Sequence, residues 1–276
     1  MIQNPFDYVR ATTLSEALAA LAEFRREAKL LAGGHSLLPM MKLGLAEPSV
    51  VVDIRHLRDL DYIDDAADHV AVGALTAHRT VETSPLVQTS VPLLAHVAAH
   101  VGDEQVRARG TVGGAIAQGD GASDLCAAAL ALRATVVVEG PQGRRQIAID
   151  DFFVGYLETA LGPDEMIVEL RVPKVPGAAW SFQKYRRRHL DWAIVGCAAV
   201  RDPDRGLGVG LVNMGSRPTR AVEVETADRR GADITEASDL VAAGCEPPSD
   251  LHASAEYRVE LARVLVNRAL DACRVA

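Results

Sequence analysis

Aromatic residues make up only 4% of this 276-residue chain, so its core must be filled mainly by Ala, Val and Leu. Cysteine is sparse as well. Cys126, Cys197, Cys245 and Cys273 form no Cys-x-x-Cys pair, and their spacing fits no zinc or iron–sulfur pattern. They read as free thiols, buried or partly buried, in a reducing compartment. No apolar run approaches the roughly 20 residues that span a bilayer. Arg133 interrupts the best candidate, 126–138. The N-terminal stretch 1–7 lacks the basic and apolar regions of a signal peptide. The expectation is a cytoplasmic protein that is not integral to a membrane, with a peripheral place on the membrane's inner face left open. Positive charge is not in excess either. The formal net charge is -8, and the main basic cluster, Arg186-Arg187-Arg188, reads as a solvated strand edge or a local anion contact. This argues against nucleic acid as a partner.

What is present is a chain 49% hydrophobic, long enough for a substantial core and for more than one domain. Thr13 and Glu16 form a capping box before a helix over 14–25. A strand over 28–32 ends at Gly33-Gly34, and Ser36 is placed to cap a short helix through 43, with Pro39 tolerated in its first turn. Strands are expected over 50–54 and 69–75, with Thr76 as the cap of a short helix. A long helix is expected over 86–101, a glycine-rich stretch over 102–121, and an Ala-rich helix over 124–133. A hairpin follows, with strands 135–139 and 145–149, then a helical 149–161 and a strand over 166–172. Pro173-Lys174-Val175-Pro176-Gly177 is the best linker. Beyond it come strands at 180–185, 193–200 and 206–213 and a final helix over 254–273. Strands and helices without regular alternation predict an α+β fold.

Two glycine-rich segments carry the chemistry. In Ala32-Gly33-Gly34-His35-Ser36, between a strand and a helix, the glycines permit positive φ and close backbone approach. Free N–H groups there can cradle an anion such as a pyrophosphate without Lys or Arg. The second runs from Thr111-Val112-Gly113-Gly114 to Gln118-Gly119-Asp120-Gly121 and Asp124. It has neither the dinucleotide G-x-G-x-x-G spacing nor a P-loop lysine. Each alone reads as an ordinary turn or surface loop. Together they suggest a bipartite dinucleotide site, one loop per subdomain.

The segments 32–42, 51–54 and 105–114 resemble, in order, the FAD-binding medium subunit of the xanthine dehydrogenase and carbon monoxide dehydrogenase family of molybdenum hydroxylases. Phe182-Gln183-Lys184, the basic run and Asp191-Trp192-Ala193 resemble the start of that family's C-terminal domain. The likeness covers nearly the whole chain and leans towards the carbon monoxide dehydrogenase members. It implies a two-subdomain FAD-binding domain of the PCMH (vanillyl-alcohol-oxidase-like) type over 1–175, with subdomains of about 1–55 and 56–175. A smaller α+β C-terminal domain follows over 176–276.

The resemblance also implies residue roles. Ala32, Gly33, Gly34, His35, Ser36 and Leu37, with Thr111, Gly113, Gly114 and Ala115, would hold the FAD pyrophosphate and ribityl region. Asp124 would contact the adenosine side. Ile167 and Lys184 would lie near the flavin, and Trp192 beside its isoalloxazine ring. Taken without the resemblance, Lys184 reads as an exposed strand residue, Trp192 as plain core and Asp124 as a helix cap. His35 either touches the flavin or braces the loop. Ala115 stands where the family usually has Asn or Ser, removing one hydrogen bond of about 0.5–1.5 kcal/mol. Gly121 stands where proline is common, and His189-Leu190 precedes Asp191 where Gly is often found.

No catalytic base, nucleophile or metal site is expected on this chain. The implied function is electron transfer to an external acceptor through FAD from two [2Fe-2S] clusters on a small partner chain. A large chain would hold the molybdenum cofactor in an (αβγ)2 assembly. Two rivals remain: a stand-alone flavin oxidoreductase, and an assembly or scaffold subunit without flavin.

Overall fold

The computed structural model describes residues 2 and 4–274. Among the described residues, three sheets of three or more strands follow one another along the chain, beside one two-stranded hairpin. The first contains β1 (Asp7–Arg10), α1 (Leu14–Phe24), β2 (Ala28–Leu31), α2 (Leu37–Lys42) and β3 (Val50–Asp53). Its strands are parallel, in the order β1-β3-β2. Val50, Val51, Val52 and Asp53 are all buried, as expected of a central parallel strand covered on both faces.

The second contains β4 (Ile63–Asp65), β5 (His69–Gly73), and then six helices: α3 (His78–Thr83), α4 (Pro85–Ser90), α5 (Pro92–Ala99), α6 (Glu104–Arg109), α7 (Val112–Gln118) and α8 (Asp124–Ala131). After them come β6 (Thr135–Gly140), β7 (Gly143–Ala148), α9 (Ile149–Phe152), the hairpin β8 (Phe153–Gly155) with β9 (Glu158–Thr159), and β10 (Met166–Pro173). The antiparallel sheet has the order β4-β5-β10-β6-β7. The third contains β11 (Ala179–Tyr185), β12 (Val195–Asp202), β13 (Gly206–Val212), β14 (Thr219–Arg220), α10 (Val222–Arg229), α11 (Ile234–Asp239) and α12 (Ala255–Ala272). Its four strands are antiparallel in sequence order.

The α+β expectation holds, and several local expectations need correction. The helix expected over 86–101 is two, α4 and α5. Pro92 offers no N–H to the preceding turn and its ring clashes there, and Val91 leaves helical geometry at φ -143, ψ 60. The helical reading of 149–161 survives only in α9. The chain then extends into a tight hairpin, with Leu157 left-handed at φ 50. Two predicted caps do not cap. Ser36 already has helical dihedrals and makes no side-chain cap bond. The Thr76 hydroxyl instead donates to the Tyr62 carbonyl at 2.8 Å and accepts from the Tyr62 N–H at 3.1 Å. Thr13 does cap α1, but Glu16 reaches back to the Thr12 N–H, at 2.7 Å, rather than to that of Thr13. The strand β1, the edge strands β4 and β14, and the helices α10 and α11 escaped the sequence reading. All are short, and α10 and α11 carry many charged or polar residues.

The sheets share their cores. Val137, Met166 and Val168 of the second sheet pack into the core of the first. Ala198, Val200 and Val212 of the third pack into the core beneath α5 and α8. The seam with the third sheet is close because two strand residues lack side chains. A Cβ on Gly210 would stand 2.7 Å from the Ala127 carbonyl carbon, and one on Gly208 would stand 3.1 Å from that of Ala131. Helix α8 therefore lies directly on β13. The Pro-Gly linker is irregular, as expected, but it is tied down. Val175 is buried and donates its N–H to the Ser90 carbonyl at 2.9 Å. All four cysteines are free. Burial pushes Cys126 up to about 12 and Cys245 and Cys273 up to about 11, so they remain protonated thiols.

Candidate functional site

The first glycine segment leaves the C-terminal end of β2 and turns into α2. Gly34 has φ 79, a left-handed conformation that glycine adopts freely. Gly33 serves a different purpose. A Cβ there would stand 2.9 Å from the Arg109 carbonyl carbon and 3.0 Å from the Gly110 Cα. The absence of a side chain lets this loop lie against the chain entering the second glycine segment. Among the described residues, the N–H groups of Gly33, Gly34, His35, Ser36 and Leu37 have no protein acceptor. Consecutive free N–H groups are suited to bind an anion, and His35 and Ser36 in this loop are exposed.

The second segment differs from the expected matching cradle. Its N–H groups are already used. Val112 donates to the Thr76 carbonyl at 3.0 Å, Gly113 to that of Ala74 at 2.8 Å, and Ala115 to that of Thr111 at 3.0 Å. Gly114 donates to the Thr111 hydroxyl oxygen at 3.1 Å. Thr111 is therefore the N-cap of α7, an ordinary satisfied helix start. Gly113 packs its Cα on Ala74, where an added Cβ would lie 2.6 Å from the Ala74 Cβ. Gly114 is exposed, and its only close neighbour is the Thr111 hydroxyl. Ala115 is half-buried beside it. The two segments thus meet, but the first supplies the free donors, while the second exposes Gly114 and part of Ala115 and keeps Thr111 and Gly113 buried. Further along, the Asp120 and Gly121 N–H groups also lack an acceptor among the described residues.

His78, which the sequence reading missed, lies beneath this meeting point. It is 4% exposed, and its Nδ1 has no hydrogen-bond partner. A Cβ on Gly110 would stand 2.8 Å from its ring. Burial, together with the like charges of His35 and Arg107, lowers its pKa to about 4. It is a neutral imidazole at neutral pH. A single histidine in a charged segment carries no sequence signal for this role.

Of the remaining site candidates, Asp124 and Lys184 meet each other. The Lys184 Nζ lies 2.5 Å from the Asp124 Oδ2 and 3.0 Å from the His100 carbonyl oxygen, with the two side chains only 6% and 7% exposed. Lys184 is therefore not the exposed strand residue that its position alone suggested. Asp124 does not cap its helix, because Ser123 does, accepting from the Cys126 N–H at 3.3 Å. Burial raises the Asp124 pKa against the pull of Lys184. Its Oδ1 is buried without a partner. Ile167 lies in β10 beside a register shift, with its side chain 5% exposed in the core; the structure does not bring that side chain to the loops' surface. Trp192 is 66% exposed, so it is not core.

These features define a class. The chain is an α+β protein whose first glycine segment carries five backbone donors with no acceptor among the described residues, an arrangement suited to a phosphate-bearing cofactor. A family model described as FAD binding domain in molybdopterin dehydrogenase matches residues 4–175. Another, CO dehydrogenase flavoprotein C-terminal domain, matches residues 180–273. The chain is 39% identical over 282 residues to the carbon monoxide dehydrogenase medium chain of Hydrogenophaga pseudoflava, covering 99% of this chain and 98% of that protein. It is 34% identical to the 6-hydroxypseudooxynicotine dehydrogenase complex subunit alpha of Paenarthrobacter nicotinovorans, covering 96% and 93%. The solved structure of the Hydrogenophaga pseudoflava carbon monoxide dehydrogenase lacking the Mo-pyranopterin moiety superposes with TM-score 0.94 at 40% identity, covering 99% of each chain. The chain belongs to the family of FAD-binding flavoprotein subunits of the molybdopterin dehydrogenases. It binds FAD and is the flavoprotein subunit of a molybdenum-containing oxidoreductase.

Proposed function

We propose that the unbroken row of free N–H groups from Gly33 to Leu37 holds the FAD diphosphate, and that Thr111, Gly113, Gly114 and Ala115 form the wall against which the ribityl chain lies. The supporting observation is that five consecutive backbone donors lack acceptors among the described residues where Gly33 brings the loop onto residues 109–110. No basic side chain is needed, because oriented amides attract an anion directly. FAD supplies the electron chemistry, accepting electrons singly and releasing them singly or in pairs. The chain's own residues bind and orient it. Trp192 offers an exposed indole to the isoalloxazine ring. Asp124 and Lys184 brace the third sheet against α8 beside the site, and Ile167 supports it from the core.

In this reading the chain receives electrons from two [2Fe-2S] clusters on a small partner chain and delivers them to an external acceptor. A large partner chain with the molybdenum cofactor oxidises the substrate, in an (αβγ)2 assembly. The FAD-binding part spans 1–175, divided near residue 55, and the C-terminal part spans 176–276, in keeping with the three sheets. The four free thiols favour a reducing cytoplasm. Relatives of this fold carry names with different substrates, carbon monoxide and 6-hydroxypseudooxynicotine among them, which supports placing substrate choice on the large chain. The full-length likeness to a carbon monoxide dehydrogenase medium chain makes carbon monoxide the first substrate to assay.

Ser36→Glu tests the cradle. Ser36 is exposed and makes no cap bond, so the change adds negative charge without straining the backbone. Flavin released from the purified complex should fall at least severalfold while the melting temperature stays at the parent value. Full flavin content in a folded Ser36→Glu complex would show that the first loop does not hold the diphosphate.

A further inference from the structure

Trp192 is unusual in that its indole is exposed while the backbone just after it is gripped by side chains from elsewhere in the third sheet's layer. The Ala193 carbonyl accepts from the Asn213 Nδ2 at 3.0 Å. The Ile194 carbonyl accepts from the guanidinium of Arg258, which is 1% exposed and also held by the Pro248 carbonyl at 2.9 Å and by Asp250 at 2.7 Å. The Ile194 N–H donates to the Tyr185 carbonyl at 2.8 Å. Burying an arginine is costly unless its donors are satisfied. Here the buried guanidinium holds the Ile194 carbonyl, two residues after an exposed aromatic residue, to the Pro248 carbonyl and Asp250.

Asn213 does more than this. It sits just past the end of β13 at φ 62, the left-handed region in which Asn is among the few tolerated side chains. That conformation sends its backbone N–H to the Gly121 carbonyl at 2.7 Å while its side chain reaches Ala193. Gly121 is itself pressed on the following turn, where a Cβ would stand 2.5 Å from the Gly215 carbonyl oxygen. One residue therefore spans from the end of the second glycine segment to the Trp192 segment, two stretches about 70 residues apart in sequence.

We infer that Asn213 is a positioning residue: it ties the Trp192 segment to Gly121 and so sets where the indole stands relative to the cofactor site. The inference rests on the proposal that Trp192 lies beside the flavin ring. Asn213 acts through the Ala193 peptide. Without its amide donor, the Ala193 carbonyl loses its tie while the Ile194 peptide keeps Arg258 and Tyr185, and the indole samples a wider range of positions.

The test uses the assembled complex carrying Trp180→Phe, so that Trp192 is the sole tryptophan of this chain. Partner-chain emission is subtracted with a complex that also carries Trp192→Phe. Asn213→Gly keeps the left-handed backbone and deletes the side chain. Asn213→Asp keeps the shape and replaces the donor with an acceptor. Both variants should retain parent flavin content. In both, flavin quenching of Trp192 emission should be relieved severalfold and its anisotropy should fall, with a changed visible circular dichroism of the flavin. Unchanged quenching and dichroism in flavin-loaded variants would overturn the role of Asn213 alone. Loss of flavin from both variants would also overturn it, since a residue acting only through the Trp192 peptide leaves the cradle intact. Flavin present in the parent, with no quenching of Trp192 there, would overturn the placement of Trp192 on which the inference rests.

Discussion

Gly33 lies so close to the Arg109–Gly110 peptide that a Cβ on it would stand 2.9 Å from the Arg109 carbonyl carbon. This relationship joins the two glycine segments into one site. Gly33→Ala must push backbone against backbone, with no flexible side chain to give way. Overpacking of this kind costs about 1–3 kcal/mol. The expected outcome is a lower urea midpoint together with a reduced flavin-to-protein ratio. A variant with parent stability and parent flavin would mean that the loops separate without consequence.

Lys184 and Asp124 form a buried pair across the seam between α8 and β11, 2.5 Å apart. Removing one partner leaves an uncompensated buried charge. Lys184→Met should therefore cost about 3–5 kcal/mol, whereas exchange of both partners for neutral groups should cost much less. A double-mutant cycle with Asp124→Asn, read by chemical denaturation, should give a large coupling. Additive effects would show that the two side chains do not stabilise each other.

His78 gives the protein an acid-sensitive spot. Its pKa is about 4 in the fold against 6.5 when unperturbed, so between those values the unfolded chain binds a proton that the folded chain refuses. Stability rises with pH where the unfolded state holds more protons. The contribution is fully present above pH 6.5 and is lost as pH falls towards 4, with a slope of at most about 1.4 kcal/mol per pH unit and a total of up to about 3 kcal/mol. Denaturation midpoints measured across that range should show the slope, and His78→Phe should flatten it. An identical slope in the variant would place the acid sensitivity elsewhere.

The strand–glycine–helix order around Gly33 and Gly34 and the small residues from Gly113 to Ala115 carry local signals, and the periodicity of α1, α12 and the long strands indicated their types. Asp124, Lys184 and Trp192 came only from the resemblance, because their local patterns suggested a helix cap, an exposed strand residue and plain core, and the structure shows none of these. The errors have local causes too. Pro92 broke a helix whose hydrophobic spacing ran straight through it, and Gly113-Gly114 read as a loop although it opens α7, because glycine signals flexibility without saying whether a neighbouring Thr will cap the turn.

By itself, the sequence determined the kinds of element, the absence of cluster-ligating cysteine spacing, and the residues able to approach a cofactor closely, because these depend on side-chain type and short-range spacing. Only the tertiary structure decided which N–H groups remain free. Val112 to Ala115 lose theirs to Thr76, Ala74 and Thr111, while Gly33 to Leu37 find no acceptor among the described residues. Only packing placed Lys184 on Asp124, buried His78 beneath Gly110, and set Asn213 between Gly121 and Ala193. A hydrogen bond or ion pair between residues tens of positions apart depends on how sheets stack, and no local pattern in the chain encodes that.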